Sequence, residues 1–178
     1  QLMEWAELDF MIVTKETNES FPEELTIEEI PIYIAKNKVL ALYADNTLDH
    51  FDRDVVVIGA DTIVVANGLI MGKPNSRDEA KFMLSQLSGS KHQVITGVFI
   101  KSEKKEISFQ ETTEVEFHQL DEFDIDHYID HYKPFDKAGA YGIQEWIGVI
   151  GIKGVVGDFY NVMGLPISRV VQSLETHF

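Results

Sequence analysis

The chain has 178 residues, of which 44% are hydrophobic, and this length and composition predict one folded domain over residues 1–178. A formal net charge of −15 at pH 7 excludes a nucleic acid polymer as a bulk partner, although a single nucleotide needs only a local basic pocket. With no cysteine and no apolar run near the ~18 residues of a membrane span, we expect a cytoplasmic protein without a disulfide framework, a cysteine nucleophile or a membrane partner.

The first third of the chain leads to a long helix. Three shorter elements precede it, a helix end, a strand and a polar loop, at residues 1–7, 10–13 and 18–24. A capping box of Thr26 and Glu29 predicts a helix that runs to about residue 44. At about 100° per residue, Lys38 falls inside the apolar stripe of this helix, whereas Lys36 points the opposite way. A lysine on that face needs an anionic partner or must extend its charged end to water.

The segment 55–74 is the most informative part of the chain, because it places charged residues among apolar β-branched runs that predict buried strands. Asp61 lies between two such runs, where a carboxylate is costly unless a metal, a cation or a substrate pairs with it. Asn67-Gly68 predicts a two-residue hairpin turn, and Gly72-Lys73-Pro74 follows it. Asp61 is either a metal ligand or general base, or a hydrogen-bonded aspartate at a strand end. Lys73 is either a point charge for phosphate or an ordinary turn lysine.

Helices and strands interleave along the rest of the chain without internal repeats. Ser76 and Glu79 form a second capping box, and Gly89 ends the helix that follows. His127 and His131 have the spacing of a zinc-binding pair, but they lie among aspartates and predict a solvated face. The later elements are two strands at residues 93–100 and 107–117, a helix at 121–132 and a glycine-rich loop at 135–144. A hairpin at 146–160 and a last helix from residue 166 onward follow. This order predicts an α/β or α+β fold with a mixed sheet.

The glycine-rich loop predicts a wall with little side-chain bulk beside Tyr141. A flat base fits against such a wall, and Gln144 can both donate and accept hydrogen bonds. The alternative is a tight loop buried against the core. Asn161 and Asp158 similarly either line the same cleft or cap a turn, and Glu19 taken alone is a weak candidate because loop glutamates are usually solvated.

In chain order, these motifs are similar to those of the Maf family of nucleotide pyrophosphatases. The matching segments cover nearly the whole chain, at residues 18–20, 35–38, 57–62, 72–74, 87–89, 92–98, 136–144 and 161–166. The resemblance implies an α/β fold with a mixed twisted sheet, flanking helices and two lobes around a central cleft, often as a homodimer. It also implies hydrolysis of a nucleoside triphosphate between the α and β phosphates, with a divalent cation such as Mg2+ or Mn2+.

The resemblance further implies roles for individual residues. Asp61 takes the position of the catalytic aspartate, Lys38 and Lys73 those of two phosphate-binding lysines, and Glu19 joins Asp61 at the metal. Substrate contacts fall on Thr62, Lys137, Gln144 and Asn161. The sequence of residues 137–144 is similar to the subgroup acting on dTTP and UTP, with modified pyrimidine nucleotides left open as further substrates.

Two alternatives stay open. One is a related inosine or xanthosine triphosphate pyrophosphatase, and the other is a regulator of septum formation that binds a nucleotide without hydrolysing it. The second arises because family members open with a strand and a Ser-x-Ser-x-Arg-Arg loop that grips phosphates, which this sequence does not show. Residues 1–7 match the end of the helix after that loop, so we expect the given sequence to omit an N-terminal part.

Overall fold

A twisted sheet flanked by helices organises the chain, and the predicted α/β fold class is confirmed. The computed structural model describes residues 1–44, 46–52 and 54–178. Its strands are β1 (Val57–Ala66), β2 (Leu69–Met71), β3 (Lys91–Lys101), β4 (Glu106–Phe117) and β5 (Ile152–Val156). They form a sheet in the order β2-β1-β3-β4-β5, and the pairs β1–β2 and β4–β5 are antiparallel.

Seven α-helices occur within the described ranges. They are α1 (Leu2–Trp5), α2 (Glu29–Tyr43), α3 (Arg77–Leu87), α4 (Glu122–Tyr132), α5 (Trp146–Gly151), α6 (Phe159–Val162) and α7 (Ile167–His177). Short 3-10 turns lie at Asn46–Leu48 and Ala138–Ala140. None of these helices has the length and apolarity that crossing a membrane requires.

The chain forms two compact units, each built from separate stretches of sequence. The first unit holds residues 1–61, 96–111 and 164–178, and the second holds residues 62–95 and 112–163. The second unit has the larger continuous core, in which α3 and α4 contribute Leu84, Leu87, Tyr128 and Ile129. In the first unit, Ala35 and Val39 of α2 pack on Phe99 of β3.

Glycines let α2 lie very close to the strands of the first unit. A Cβ on Gly97 would come within 2.2 Å of the backbone nitrogen of Ile32, and one on Gly59 within 2.6 Å of Val39. A side chain at either position would therefore push the helix away from the sheet. This approach fixes α2 against β1, and with it the position of Lys38.

Several sequence predictions of local structure are confirmed. Asn67 and Gly68 have φ values of 52° and 75° and connect β1 to β2, as a two-residue hairpin turn requires. The side chain of Ser76 accepts a hydrogen bond from the Glu79 amide at the start of α3. Gly89, at φ 66°, follows the end of that helix.

Two predictions of local structure are wrong, and a third is confirmed only in part. Residues 10–13 form no strand, because no neighbouring strand pairs with them and Met11 and Ile12 are left exposed. The predicted capping box before α2 is half formed: the Glu29 carboxylate accepts from the Thr26 amide, but the Thr26 hydroxyl donates to the same carboxylate, and the helix runs from Glu29 to Tyr43. Residues 146–160 form α5 followed by β5, so the expected hairpin is absent from that described segment.

Candidate active site

Lys38 lies between two carboxylates in the first unit. Its Nζ is 2.6 Å from Asp61 Oδ1 and 2.9 Å from Glu19 Oε1. The side chain of Asp61 is 11% exposed, that of Lys38 28% and that of Glu19 46%. Helix α2, strand β1 and the loop before α2 thus bring together three residues that the sequence places far apart. The predicted need of Lys38 and Asp61 for charged partners is met by each other.

The charge of Lys38 is stabilised by these contacts. Burial lowers the pKa of Lys38, but the hydrogen bonds to Asp61 and Glu19 and their negative charges outweigh it. The pKa of Lys38 therefore lies above its ordinary value, and the side chain is a fixed cation at neutral pH.

A cavity of about 600 Å³ adjoins this triad. Glu19 and Lys38 line it together with residues 13–17, 39, 42 and 58–60. The formal charges of Lys15, Glu16, Glu19 and Lys38, together with Asp61, leave the site with one net negative charge. A triphosphate, with about four negative charges, therefore needs additional positive charge to bind there.

The second unit brings other candidate residues together. Lys137 Nζ lies 2.8 Å from Asp136 Oδ1 and 3.3 Å from Glu145 Oε1. The hydrogen bond from Lys137, and less strongly the charge of Lys73, hold the pKa of Asp136 below its usual value. The amide of Gly139 donates to the carbonyl of Gly72, so the turn that carries Lys73 is fastened to the glycine-rich loop.

The predicted base-reading residues differ in exposure. Gln144 is exposed and Thr62 half-buried. Asn161 is fully buried, and its amide nitrogen donates to the Val94 carbonyl and the Thr113 hydroxyl. These contacts hold β3 and β4 together, and a direct contact of Asn161 with substrate stays a prediction.

Two residues of this unit were not identified from the sequence. The Tyr128 hydroxyl donates to Glu145 Oε2 and accepts from the Gly142 amide at 3.0 Å. Burial, and then the hydrogen bond to Glu145, raise the pKa of Tyr128, so it is a protonated donor at neutral pH. No sequence motif connects Tyr128 with Glu145.

Metal-binding side chains are sparse. Within residues 1–44, 46–52 and 54–178, no three or more His, Asp or Glu side chains are grouped as a metal site would require. His127 stacks on His131 and lies against Trp146, with ring centroids 4.1 Å and 4.8 Å apart. Glu19 and Asp61 form one pair of carboxylates that converge on a side-chain cation, Lys38, beside the cavity.

Comparisons with known proteins identify similar sequences. A family model described as Maf-like protein matches residues 1–177. A protein of Cytophaga hutchinsonii named dTTP/UTP pyrophosphatase is 51% identical over 178 residues, which cover 100% of this chain and 79% of that protein. A protein of the same name from Phocaeicola vulgatus is 50% identical over 88% of this chain and 79% of its own length. Another from Parabacteroides distasonis is 46% identical over 99% of this chain and 89% of its own length.

Proposed function

This chain belongs to the family of Maf-like proteins, and from that premise we propose that it hydrolyses dTTP and UTP to the monophosphate and pyrophosphate. Relatives at 46–51% identity carry the name dTTP/UTP pyrophosphatase. The observation that carries the proposal is the Lys38 ammonium, held between Asp61 and Glu19 beside a cavity of about 600 Å³. Such a group of fixed charges suits a reaction that depends on positioning and on charge neutralisation.

In the proposed reaction, a water oxygen forms a bond to the α-phosphorus while the bond to the bridging α–β oxygen breaks. Pyrophosphate leaves with the electron pair of that bond. Asp61 orients the attacking water and accepts its proton, and Lys38 and Lys73 neutralise the charge that develops on the leaving group. The raised pKa of Lys38 suits this role, because the lysine stays charged throughout the physiological range.

A divalent cation, Mg2+ or Mn2+, fits the carboxylates of this site. Glu19 and Asp61 present hard oxygen atoms that already converge on one positive charge. Mg2+ typically takes one or two carboxylates and completes its shell with water and substrate phosphates, so it needs no larger acidic cluster. When bound, the ion would polarise the phosphate and lower the pKa of bound water. The net negative charge of the site also favours an added cation.

Recognition of the nucleotide is proposed for the second unit and for Thr62. Gln144 is exposed on the glycine-rich loop and offers both a donor and an acceptor to a pyrimidine edge. Lys137 supplies a partly buried positive charge near it in sequence. We also propose a homodimer acting in the cytoplasm, where nucleoside triphosphates are made and used.

The test is pyrophosphate release from dTTP, UTP, CTP, GTP, 7-methyl-GTP and ITP in the presence of Mg2+. We expect release from dTTP and UTP, loss of release when a chelator removes the metal, and a weakened preference in Gln144→Ala. Release from ITP in preference to the pyrimidines would favour the inosine triphosphate alternative. Release from none of the six would contradict the proposed function.

A further inference from the structure

The loop that carries Lys137 and Gln144 contains one residue with a strained backbone, Ala140. Gly139 and Ala140 both have positive φ, at 67° and 59°. For alanine this left-handed conformation is unfavourable, and it persists where the surrounding structure enforces it. Ala140 is fully buried, so the packing around it is part of what enforces the conformation. The polar contacts on either side of Ala140 supply the rest.

Tyr128 holds the C-terminal side of this loop. The side chain is completely buried on α4, and its hydroxyl is bonded on both sides, to the Gly142 amide and to the Glu145 carboxylate. A buried amide and a partly buried carboxylate oxygen are costly to leave unpaired, so this one hydroxyl satisfies two groups of the loop.

Glu145 connects this hydroxyl to Lys137. One carboxylate oxygen accepts from Tyr128, and the other lies 3.3 Å from Lys137 Nζ. Lys137 and Glu145 also cover Gly142 closely, since a Cβ there would lie 3.0 Å from Lys137 Cε and 3.1 Å from Glu145 Cδ. Burial lowers the pKa of Lys137, but Asp136 and Glu145 raise it further and keep the lysine charged.

We propose that Tyr128 and Glu145 are positioning residues for nucleotide recognition, and that they act by fixing Lys137 and the backbone at Gly142 beside Gln144. The inference rests on the proposed function, in which Lys137 and Gln144 contact the nucleotide. A buried hydroxyl and a carboxylate that do not touch the substrate thereby determine the affinity of the protein for the nucleotide. The proposed chemical step depends on Lys38 and Asp61, which belong to the first unit, whereas Tyr128 and Glu145 belong to the second.

The test uses Tyr128→Phe, which removes only the hydroxyl, in the full chain. We expect the KM for UTP to rise roughly tenfold while kcat stays within about twofold, because a hydrogen bond to a charged group is lost from the binding loop alone. Tyr43→Phe is the matched control. It removes a tyrosine hydroxyl bonded to the Lys101 carbonyl at 3.2 Å, and it should leave KM unchanged.

A double-mutant cycle separates positioning from a general loss of stability. Glu145→Gln should raise KM in the wild-type background and have no further effect in Lys137→Met, because it acts through that lysine. Equal effects of Glu145→Gln in both backgrounds would overturn the inference.

Amide exchange gives a readout that needs no activity. Without nucleotide, the Gly142 amide should exchange roughly tenfold faster in Tyr128→Phe than in wild type. An unchanged exchange rate, or faster exchange with unchanged KM, would overturn the inference. If the wild type hydrolyses no triphosphate, the proposed function fails by itself, and the calorimetric affinity for UTP replaces KM. Absence of UTP binding by the wild type would then overturn both.

Discussion

Replacing Lys38 by methionine keeps most of the side-chain volume and removes the charge between Asp61 and Glu19. The substitution leaves Asp61, which is 11% exposed, facing a second carboxylate without the ammonium that now separates them. Both the stability and the proposed activity therefore depend on the same atom, Lys38 Nζ.

The expected size of the effect follows from the exposure of the two partners. The well-shielded bond to Asp61 is a charged hydrogen bond, a class that contributes about 1.5–3 kcal/mol. Glu19 is 46% exposed, so its ion pair is screened by solvent and adds about 0.2–1 kcal/mol. We expect Lys38→Met to lower the free energy of unfolding by about 2–4 kcal/mol, and the melting temperature by about 4–16 °C.

The assay is thermal unfolding together with kcat/KM for UTP, with Lys36→Met as the matched control. Lys36 lies on the same helix, but its partner Glu106 is 3.6 Å away and both side chains are more than 40% exposed. Lys36→Met should cost at most about 1 kcal/mol and leave kcat/KM unchanged. Lys38→Met should lower kcat/KM by roughly 10- to 100-fold, since a charged contact to phosphate is lost.

The pH dependence of stability tests the direction of the Lys38 pKa shift. Because the pKa of Lys38 is raised in the folded state, its stabilisation is fully present below 10.5 and is lost as the pH rises through the higher folded-state pKa. The stability difference between wild type and Lys38→Met should therefore be constant from neutral pH to about 10 and shrink above it. Equal effects of the Lys36 and Lys38 substitutions on stability and kcat/KM would refute the reasoning.

Three further predictions concern single residues. Asp61→Asn should lower kcat by at least roughly 100-fold with an unchanged circular dichroism spectrum, and near-wild-type turnover would contradict its role. Burial lowers the pKa of His92 to about 4, so acidification from pH 6.5 to 4 should lower the free energy of unfolding of the wild type by up to about 3 kcal/mol. His92→Phe should not show this loss, and parallel curves of unfolding free energy against pH for the two proteins would contradict the prediction. Gly97→Ala should lower the free energy of unfolding, measured by chemical denaturation, by about 3 kcal/mol or more, because its Cβ would lie 2.3 Å from the Pro31 carbonyl carbon. Gly154→Ala, with open space around its Cβ, should lower it by less than about 1 kcal/mol. Similar losses for the two glycines would show that this close packing is misplaced.

Local rules account for the elements that were predicted well. The β1–β2 hairpin depends on Asn67-Gly68, whose positive φ values few other residue pairs adopt easily. The start of α3 depends on Ser76, which bonds a helix amide three residues ahead. Both signals act over two to four residues, so the sequence alone contains the whole of their physical cause.

Elements that depend on distant packing were missed. Residues 146–160 predict a hairpin, but Gly148 lies inside α5, where a Cβ would be 1.8 Å from the Ile143 carbonyl oxygen. The apolar residues 11 and 12 resemble a strand, but a strand forms only with a partner, and their side chains are exposed.

The candidate site shows the same division. The chemistry of Asp61 and Lys38 as charged residues in apolar surroundings was visible in the sequence. Their contact at 2.6 Å was not, because it depends on how closely α2 approaches β1 at Gly59 and β3 at Gly97. Tyr128 and Glu145 gave no signal in the sequence, because only the fold brings the tyrosine hydroxyl within hydrogen-bond distance of the glutamate carboxylate.

The central claim is attack of water on the α-phosphorus, and hydrolysis of UTP in water labelled with heavy oxygen tests it most directly. Mass spectrometry of the products, with Asp61→Asn as the inactive control, locates the label. The account predicts UMP that carries the label and pyrophosphate that does not. Label in pyrophosphate, or formation of UDP and phosphate, would contradict it.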